Sequence, residues 1–399
     1  MKQELIYIDH FRVCFIVGRM LTTFPIEIDV PVAKQSHLSY QDVFLKPKFS
    51  PFHSRSDIDT SVEFGHRRFK MPIVPANMAC VINSDIAKWM SANDYFYIMH
   101  RFNVDHTHPA NQDNMAFVRR ANLELWKTVS ISIGVQDSDK DFLRWIVAND
   151  MIVNYITIDI AHAHSTRMKE MLEFIRGLDF KSYRSPYNTG ACTSVKLSYR
   201  PFIIAGNVAT PEAVVDLENW GADSVKVGIA QGDACTTYGQ TGFGMPMFTC
   251  MLECSAVAKK PLIADGGVRM NGDFAKAVRA GGSMVMAGSV FAACSDSPSK
   301  TVVKLFKTGE VSADTEIYNN MVQSQYKERI VTKVFKQYYG SASEYNKGTK
   351  HHVEGRLVEL PCNGMTYEEK LTEMLESFQS SVSYAGGDLS TVEWGIINK

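Results

Sequence analysis

Eight short apolar runs, spread along about 220 residues of a 399-residue chain, constrain the fold more than any other feature of the sequence. They lie at 72–78 (PIVPANM), 95–100 (YFYIMH), 129–134 (VSISIG), 155–160 (YITIDI), 202–208 (FIIAGNV), 224–229 (SVKVGI), 262–268 (LIADGGV) and 284–289 (MVMAGS). Each tends to end in a polar residue or glycine, and helical patterns fill the gaps: Ser84–Ala92, Arg167–Ile175, Pro211–Trp220 and Gly272–Ala280. Thr210 followed by Pro211-Glu212 predicts a capped helix start. Near-continuous apolar strands alternating with helices predict a parallel sheet covered on its outside. Eight units favour an α/β fold of the (β/α)8 TIM-barrel type over an open doubly wound sheet, since no GxGxxG follows the first run.

In such a barrel the carboxyl ends of the strands build the active face. Those ends are Asn77, His100, Asp159, Asn207, Gly228, Asp265 and Ser289. One or two polar ends arise by chance, but seven point to a site.

Composition bounds the rest. Hydrophobic residues make up 45% and charged residues 21%, with 42 Lys+Arg against 43 Asp+Glu and a formal net charge of −1. That balance gives no footing for a nucleic-acid partner. The eight cysteines (14, 80, 192, 235, 250, 254, 294 and 362) form no CxxC pair, which argues against structural zinc and for thiols in a reducing cytoplasm. Phe11–Leu21 is apolar, but Arg12 and Arg19 interrupt it, so neither a membrane span nor a signal peptide is expected. The reading is an N-terminal extension (1–36) and one barrel domain (37–399). The polar stretch Lys181–Tyr199 marks an insertion near 178–200.

Residues 225–244 (VKVGIAQGDACTTYGQTGFG) carry the chemistry. Cys235 leaves a Gly/Thr loop just beyond a strand, where backbone N–H groups can stabilise a thiolate next to a bound substrate. Taken alone, a cysteine there also reads as a small residue in a ligand loop. Gly266-Gly267 and Gly288-Ser289, after the seventh and eighth runs, are expected to hold a phosphate, and Asp265 a ribose diol. A 5′-nucleotide suits both.

The segments LSYQDVFLKPKFS (38–50), SRSDIDT (54–60), MPIVPANM (71–78), YITIDIAHAHS (155–165), IAGNVATPE (204–212), GADSVKVGI (221–229), ADGGVR (264–269) and YGSASEYNKG (339–348) resemble the IMP dehydrogenase/GMP reductase family. The likeness runs from about His37 to Gly387. Within the family, IMHRF (98–102) and YGSASE (339–344) resemble the reductases. No regulatory-domain insertion separates the second and third runs, and no flap Arg-Tyr pair is present.

The resemblance implies NADPH-dependent reductive deamination of GMP to IMP through a covalent bond from Cys235 to C2 of the purine, in purine salvage. It implies Thr237 and Glu344 as catalytic partners. Tyr339, Gly340 and Ser341 join Asp265, Gly266, Gly267, Gly288 and Ser289 around the nucleotide. Asn77, Arg101, Asp159 and His162 contact the cofactor, while Ser380 and Tyr384 complete the cofactor site of a neighbour in a homotetramer. A potassium ion is implied on the backbone carbonyls of Ala230, Gly232 and Cys235. His162 and His164, two residues apart, could be taken for metal ligands, but they fall where the family puts cofactor contacts.

The chain departs from the family in this loop. Ala230 replaces a glycine, and a positive φ would strain it. Asp233 stands where the family offers Ser or Arg to the phosphate, and a carboxylate there repels it. The implied outcomes are an Asp233 turned away or neutralised, a modified or dephosphorylated purine as substrate, an IMP dehydrogenase, or a purine nucleotide-binding module without catalysis.

Overall fold

The computed structural model describes residues 7–9, 12–17, 20–23, 37–102, 112–184, 195–318, 321–348 and 350–397. A unit ending at His37 holds an antiparallel meander of Tyr7–Asp9, Arg12–Val17 and Met20–Thr23. The second unit begins at Leu38 and contains every element discussed below.

Its centre is a parallel sheet of seven strands: Ile73–Pro75, Ser130–Ile133, Tyr155–Asp159, Phe202–Val208, Ser224–Val227, Leu262–Asp265 and Met284–Ala287. Hydrogen bonding runs in chain order and returns from the last strand to the first, Val285 opposite Ile73. The run 95–100 takes the second position with a single parallel bridge, Met99 to Ile131, and Met99 N–H donates to the Ser130 carbonyl at 3.2 Å. With that stave the architecture is a (β/α)8 barrel whose strands are buried almost throughout.

The helices start where short polar side chains can cap them. Asn83 accepts from Ile86 N–H at 2.9 Å, and Thr210 accepts from Ala213 N–H at 3.3 Å with Pro211 in the first turn. Ser84–Ala92, Thr166–Arg176, Pro211–Asn219 and Asn271–Arg279 fall within a residue or so of the sequence expectation.

Aromatic rings plug the amino end of the barrel. A hairpin of Val62–Phe64 and Arg67–Phe69 turns at Gly65, where φ is +63° and a Cβ would stand 2.9 Å from the Tyr155 ring. Only glycine suits that turn. Phe64 packs on Phe96, Tyr155 and Phe202 with ring centroids 5.0–6.1 Å apart, and the Tyr155 hydroxyl donates to the Phe64 carbonyl at 2.6 Å.

Beyond the eighth strand comes an element that the run pattern does not announce. Thr301–Tyr318 and Met321–Tyr339 form a long antiparallel hairpin, and Leu357–Pro361 adds a third strand. Its base is fixed by Lys336, only 2% exposed, whose ammonium donates to the carbonyls of Ser295, Ser297 and Ser299 and to Thr301 Oγ1 at 3.0–3.3 Å. The expected insertion is a smaller hairpin, Lys181–Arg184 with Val195–Ser198.

Phe64→Ala should cost about 3–5 kcal/mol in equilibrium unfolding, because the ring is fully enclosed by other rings and the hole cannot collapse. A loss under 1 kcal/mol would show that the plug is dispensable.

Candidate active site

The carboxyl ends of the barrel strands open on a cavity of about 450 Å³. Of the seven strand ends expected to meet, Asn77, Asp159, Asn207, Gly228, Asp265 and Ser289 line it. His100 does not. It is buried, its Nδ1 accepts from Phe102 N–H at 3.3 Å, and burial lowers its pKa to about 4, so it stays neutral; Arg101 faces the cavity in its place.

A lysine forms the floor. Lys226, in the middle of the sixth strand and 2% exposed, places its ammonium 2.7 Å from Asp159 Oδ1 and 2.6 Å from Asp265 Oδ2. Burial works against its charge, but the two carboxylates outweigh it and raise its pKa. Burial likewise pushes Asp159 up, yet Lys226, with help from Arg101 and Asn77, leaves its carboxyl below the usual value. Asn77 Nδ2 donates to Asp159 at 3.1 Å and Asn207 Nδ2 to Asp265 at 2.8 Å. Charged groups this deep persist only when paired and hydrogen-bonded, as these are. The signal was present in the sequence: a lysine inside SVKV is out of place in a buried strand unless it has a partner.

Above the floor lies the loop of Cys235. Gly228, at φ +143°, lets the chain pass against the seventh strand, since a Cβ there would fall 1.9 Å from the Asp265 carbonyl. Two residues on, Ala230 adopts φ +67°, the strained alternative anticipated for that position. The loop is pinned from the far side by the segment after the hairpin. Cys235 bridges Gly355, Thr236 N–H donates to the Glu354 carbonyl at 2.9 Å, and Arg356 N–H donates to the Ala234 carbonyl at 2.9 Å.

This pairing brings a new residue to the cysteine. Cys235 Sγ donates to Thr237 Oγ1 at 3.1 Å, and the Thr237 hydroxyl donates to Glu354 Oε2 at 2.8 Å. Glu354 lines the cavity and Glu344 does not. Glu344 opens the short helix Glu344–Lys347 behind its Ser343 cap, where a carboxylate favours the helix dipole. Its side chain is 56% exposed and 3.9 Å from Lys350. The expectation of Glu344 beside Thr237 is therefore corrected to Glu354, an acid followed by Gly355 just ahead of a strand.

Tyr339 is corrected in the same way. Side chains alternate across a strand, so Tyr338 faces the cavity while the Tyr339 ring turns onto Tyr345, 4.7 Å between centroids. Gly266, Gly267, Gly288, Gly340 and Ser341 do line the cavity.

On the cofactor side, Asn77, Arg101 and Asp159 come together at the cavity wall. Arg101 Nε is buried with no hydrogen-bond acceptor among the described residues, which fits a polar group placed against it. His162 is exposed on the loop after the fourth strand, outside the lining, and His164 Nε2 pairs with Asp216 at 2.8 Å. Ser380 and Tyr384, in the last turns of helix Tyr367–Tyr384, lie outside this cavity and face Arg55 at 3.2 and 3.4 Å. Among the three carbonyls expected to hold potassium, that of Gly232 already accepts Cys235 N–H at 2.9 Å. The Asp233 carboxylate meets a cation: Arg269 Nε is 3.3 Å from its Oδ1.

Two predictions follow from this geometry. Lys226→Met should destabilise the fold by about 3–5 kcal/mol at pH 7, since it leaves two buried carboxylates unpaired. Asp159 has a lowered folded pKa, so its contribution in the wild type is present above the ordinary carboxylate range and lost as pH falls through it. The gap between wild type and variant should therefore narrow towards pH 4, as Asp159, deprived of its lysine in the variant, takes up a proton. Urea unfolding at both pH values checks it, and an equal gap at the two would refute the charge argument. Ala230→Gly should gain up to about 1 kcal/mol by removing left-handed strain, read as a rise in thermal midpoint.

Comparison with known proteins places this geometry in context. The sequence model of the IMP dehydrogenase / GMP reductase domain matches residues 37–392. A protein named GMP reductase from Acidovorax sp. (strain JS42) is 42% identical over 350 residues, covering 87% of this chain and 91% of its own. Proteins of the same name from Leptothrix cholodnii and Staphylococcus carnosus are each 42% identical, covering 90% and 87% of this chain and 95% and 91% of theirs.

Proposed function

The chain belongs to the IMP dehydrogenase/GMP reductase family, and we propose that it is a GMP reductase, converting GMP, NADPH and two protons to IMP, NADP⁺ and ammonium. The observation that carries this reading is the hydrogen-bonded chain Cys235–Thr237–Glu354 at the mouth of the barrel.

In this reading the Cys235 sulfur bonds to C2 of the guanine and the 2-amino group leaves as ammonia. NADPH, when bound, would supply the hydride that C2 takes up, after which the carbon–sulfur bond breaks and the Cys235 thiolate is released. Thr237 and Glu354 form the path for the proton that the departing amine needs: the threonine hydroxyl passes one on as it takes one up, and the carboxyl is its reservoir. Asp265 accepts from the ribose hydroxyls, and the glycines at 266, 267 and 288 with Ser289 bring N–H and O–H donors to the phosphate. Asn77, Arg101 and Asp159 hold the nicotinamide side. Ser380 and Tyr384 act on a neighbouring subunit in a homotetramer, which accounts for their distance from this cavity. Potassium on the carbonyls of Ala230, Gly232 and Cys235 remains part of the proposal, with Gly232 offering its second lone pair.

The test is NADPH absorbance with GMP, dGMP, guanosine and IMP supplied separately; only GMP and dGMP should drive oxidation at appreciable rate. Saturable binding without oxidation would mark a nucleotide-binding module instead. Cys235→Ala should abolish turnover and keep nucleotide affinity. Glu354→Gln should lower kcat by about 10²–10⁴, whereas Glu344→Gln should stay within about twofold of wild type. The reverse order would restore Glu344 as the proton donor.

A further inference from the structure

Resting on the reductase reading, we propose that Arg269, held by Asp233, is the group that recognises the 5′-phosphate of the substrate, so that this chain selects the charged nucleotide with a guanidinium where residue 233 cannot contribute. Asp233 lines the cavity beside Gly232, and the backbone at Gly232 lies against Gly266, 3.4 Å from a Cβ built there. The phosphate end of the site is therefore made of residues 232–233 and the glycine pair 266–267, and Arg269 leaves the same loop two residues beyond that pair.

A lone carboxylate at this place would repel a phosphate dianion. It is not alone. Arg269 Nε stands 3.3 Å from its Oδ1, and Arg356 Nη2 donates to the Asp233 backbone carbonyl at 3.4 Å. Arg269 on the carboxylate and Arg356 on the backbone carbonyl of the same residue put two positive charges beside one negative one. Arg269 uses Nε on Asp233, and the fork of a guanidinium carries further donors for a second anion. Asp233 lines the cavity and Arg269 does not; the arginine side chain stands behind the carboxylate, 58% exposed against 30%. Asp233 acts as a tether that orients the guanidinium, and Arg269 is the specificity determinant.

The experiment compares GMP with guanosine, which differs only by the phosphate, for the full-length wild type, Arg269→Ser and the double variant Asp233→Ser/Arg269→Ser. Affinities come from calorimetry and KM and kcat from NADPH oxidation. Arg269→Ser should weaken GMP by ~10-fold or more and leave guanosine unchanged, with kcat within about twofold, because the phosphate contact is the same in bound and transition states. The double variant removes the carboxylate together with its partner and should recover only part of the loss, staying at least about threefold weaker for GMP than wild type, because the guanidinium contact is still missing; full recovery would show that Arg269 only neutralises Asp233 and would overturn the inference. A single variant that weakens GMP and guanosine equally would assign Arg269 a structural role and overturn the inference, as would one that changes neither. A wild type that binds both equally well would also overturn it. Absence of NADPH oxidation with every purine would defeat the reductase reading, while the calorimetric comparison would still decide the role of Arg269.

Discussion

One ammonium organises this site. Lys226 sits between Asp159 and Asp265, on the fourth and seventh strands, and neutralises one of two carboxylates that the barrel brings to its mouth. Asn77 donates to the second oxygen of Asp159, and Asn207 shares Asp265 Oδ2 with the lysine, so each carboxylate has two donors while the three ionised groups sum to about −1. Beside these carboxylates hydroxyls and amides are favoured over an anion, and Arg101 at the wall offsets the charge on the Asp159 side.

The second constraint is mechanical. Cys235 is on a loop between barrel elements, and its partner Thr237 is hydrogen-bonded to a carboxyl 117 residues away. Backbone pairing of Cys235 with Gly355 makes the two halves one structure, and Lys336 anchors the hairpin that delivers the second half. The long hairpin is thus part of the site, although its own strands lie beyond the barrel. Lys336 is buried against three carbonyls and a hydroxyl, and these hydrogen bonds fix the base of the hairpin.

Period and spacing made the barrel legible. Apolar runs of strand length, caps such as Thr210 and glycines at strand ends are local signals, and they led to the correct staves and to Asn77, Asp159, Asp265 and Cys235. The errors share a physical origin. Glu344 and Glu354 both follow the hairpin, and only long-range pairing decides which faces Thr237. Tyr338 and Tyr339 differ by one step in a strand whose phase is set by its partner at 357–361. Lys226 was visible as an anomaly in an apolar run, yet its role needed two carboxylates from other strands. The hairpin 301–339 lacks clean alternation, with lysines throughout, and so gave no strand signal.

The loop 228–237 carries two residues that oppose its own geometry. Ala230 holds a left-handed backbone at a cost of about 1–2 kcal/mol, and Asp233 places a carboxylate on the cavity wall. If selection on this loop had lapsed, such costs would stand uncorrected and the Cys235–Thr237–Glu354 chain would be free to drift with them. Instead the chain is complete, and the charge on Asp233 is met by Arg269 from the adjacent strand-end loop. A compensating partner drawn from a second loop is expected where the function of the first is retained. The strain at Ala230 is borne by the strand pairing on the other side of the loop, which fixes Ala234 to Arg356 and Thr236 to Glu354. The geometry of the loop is therefore enforced by its neighbours where its own residues do not favour it.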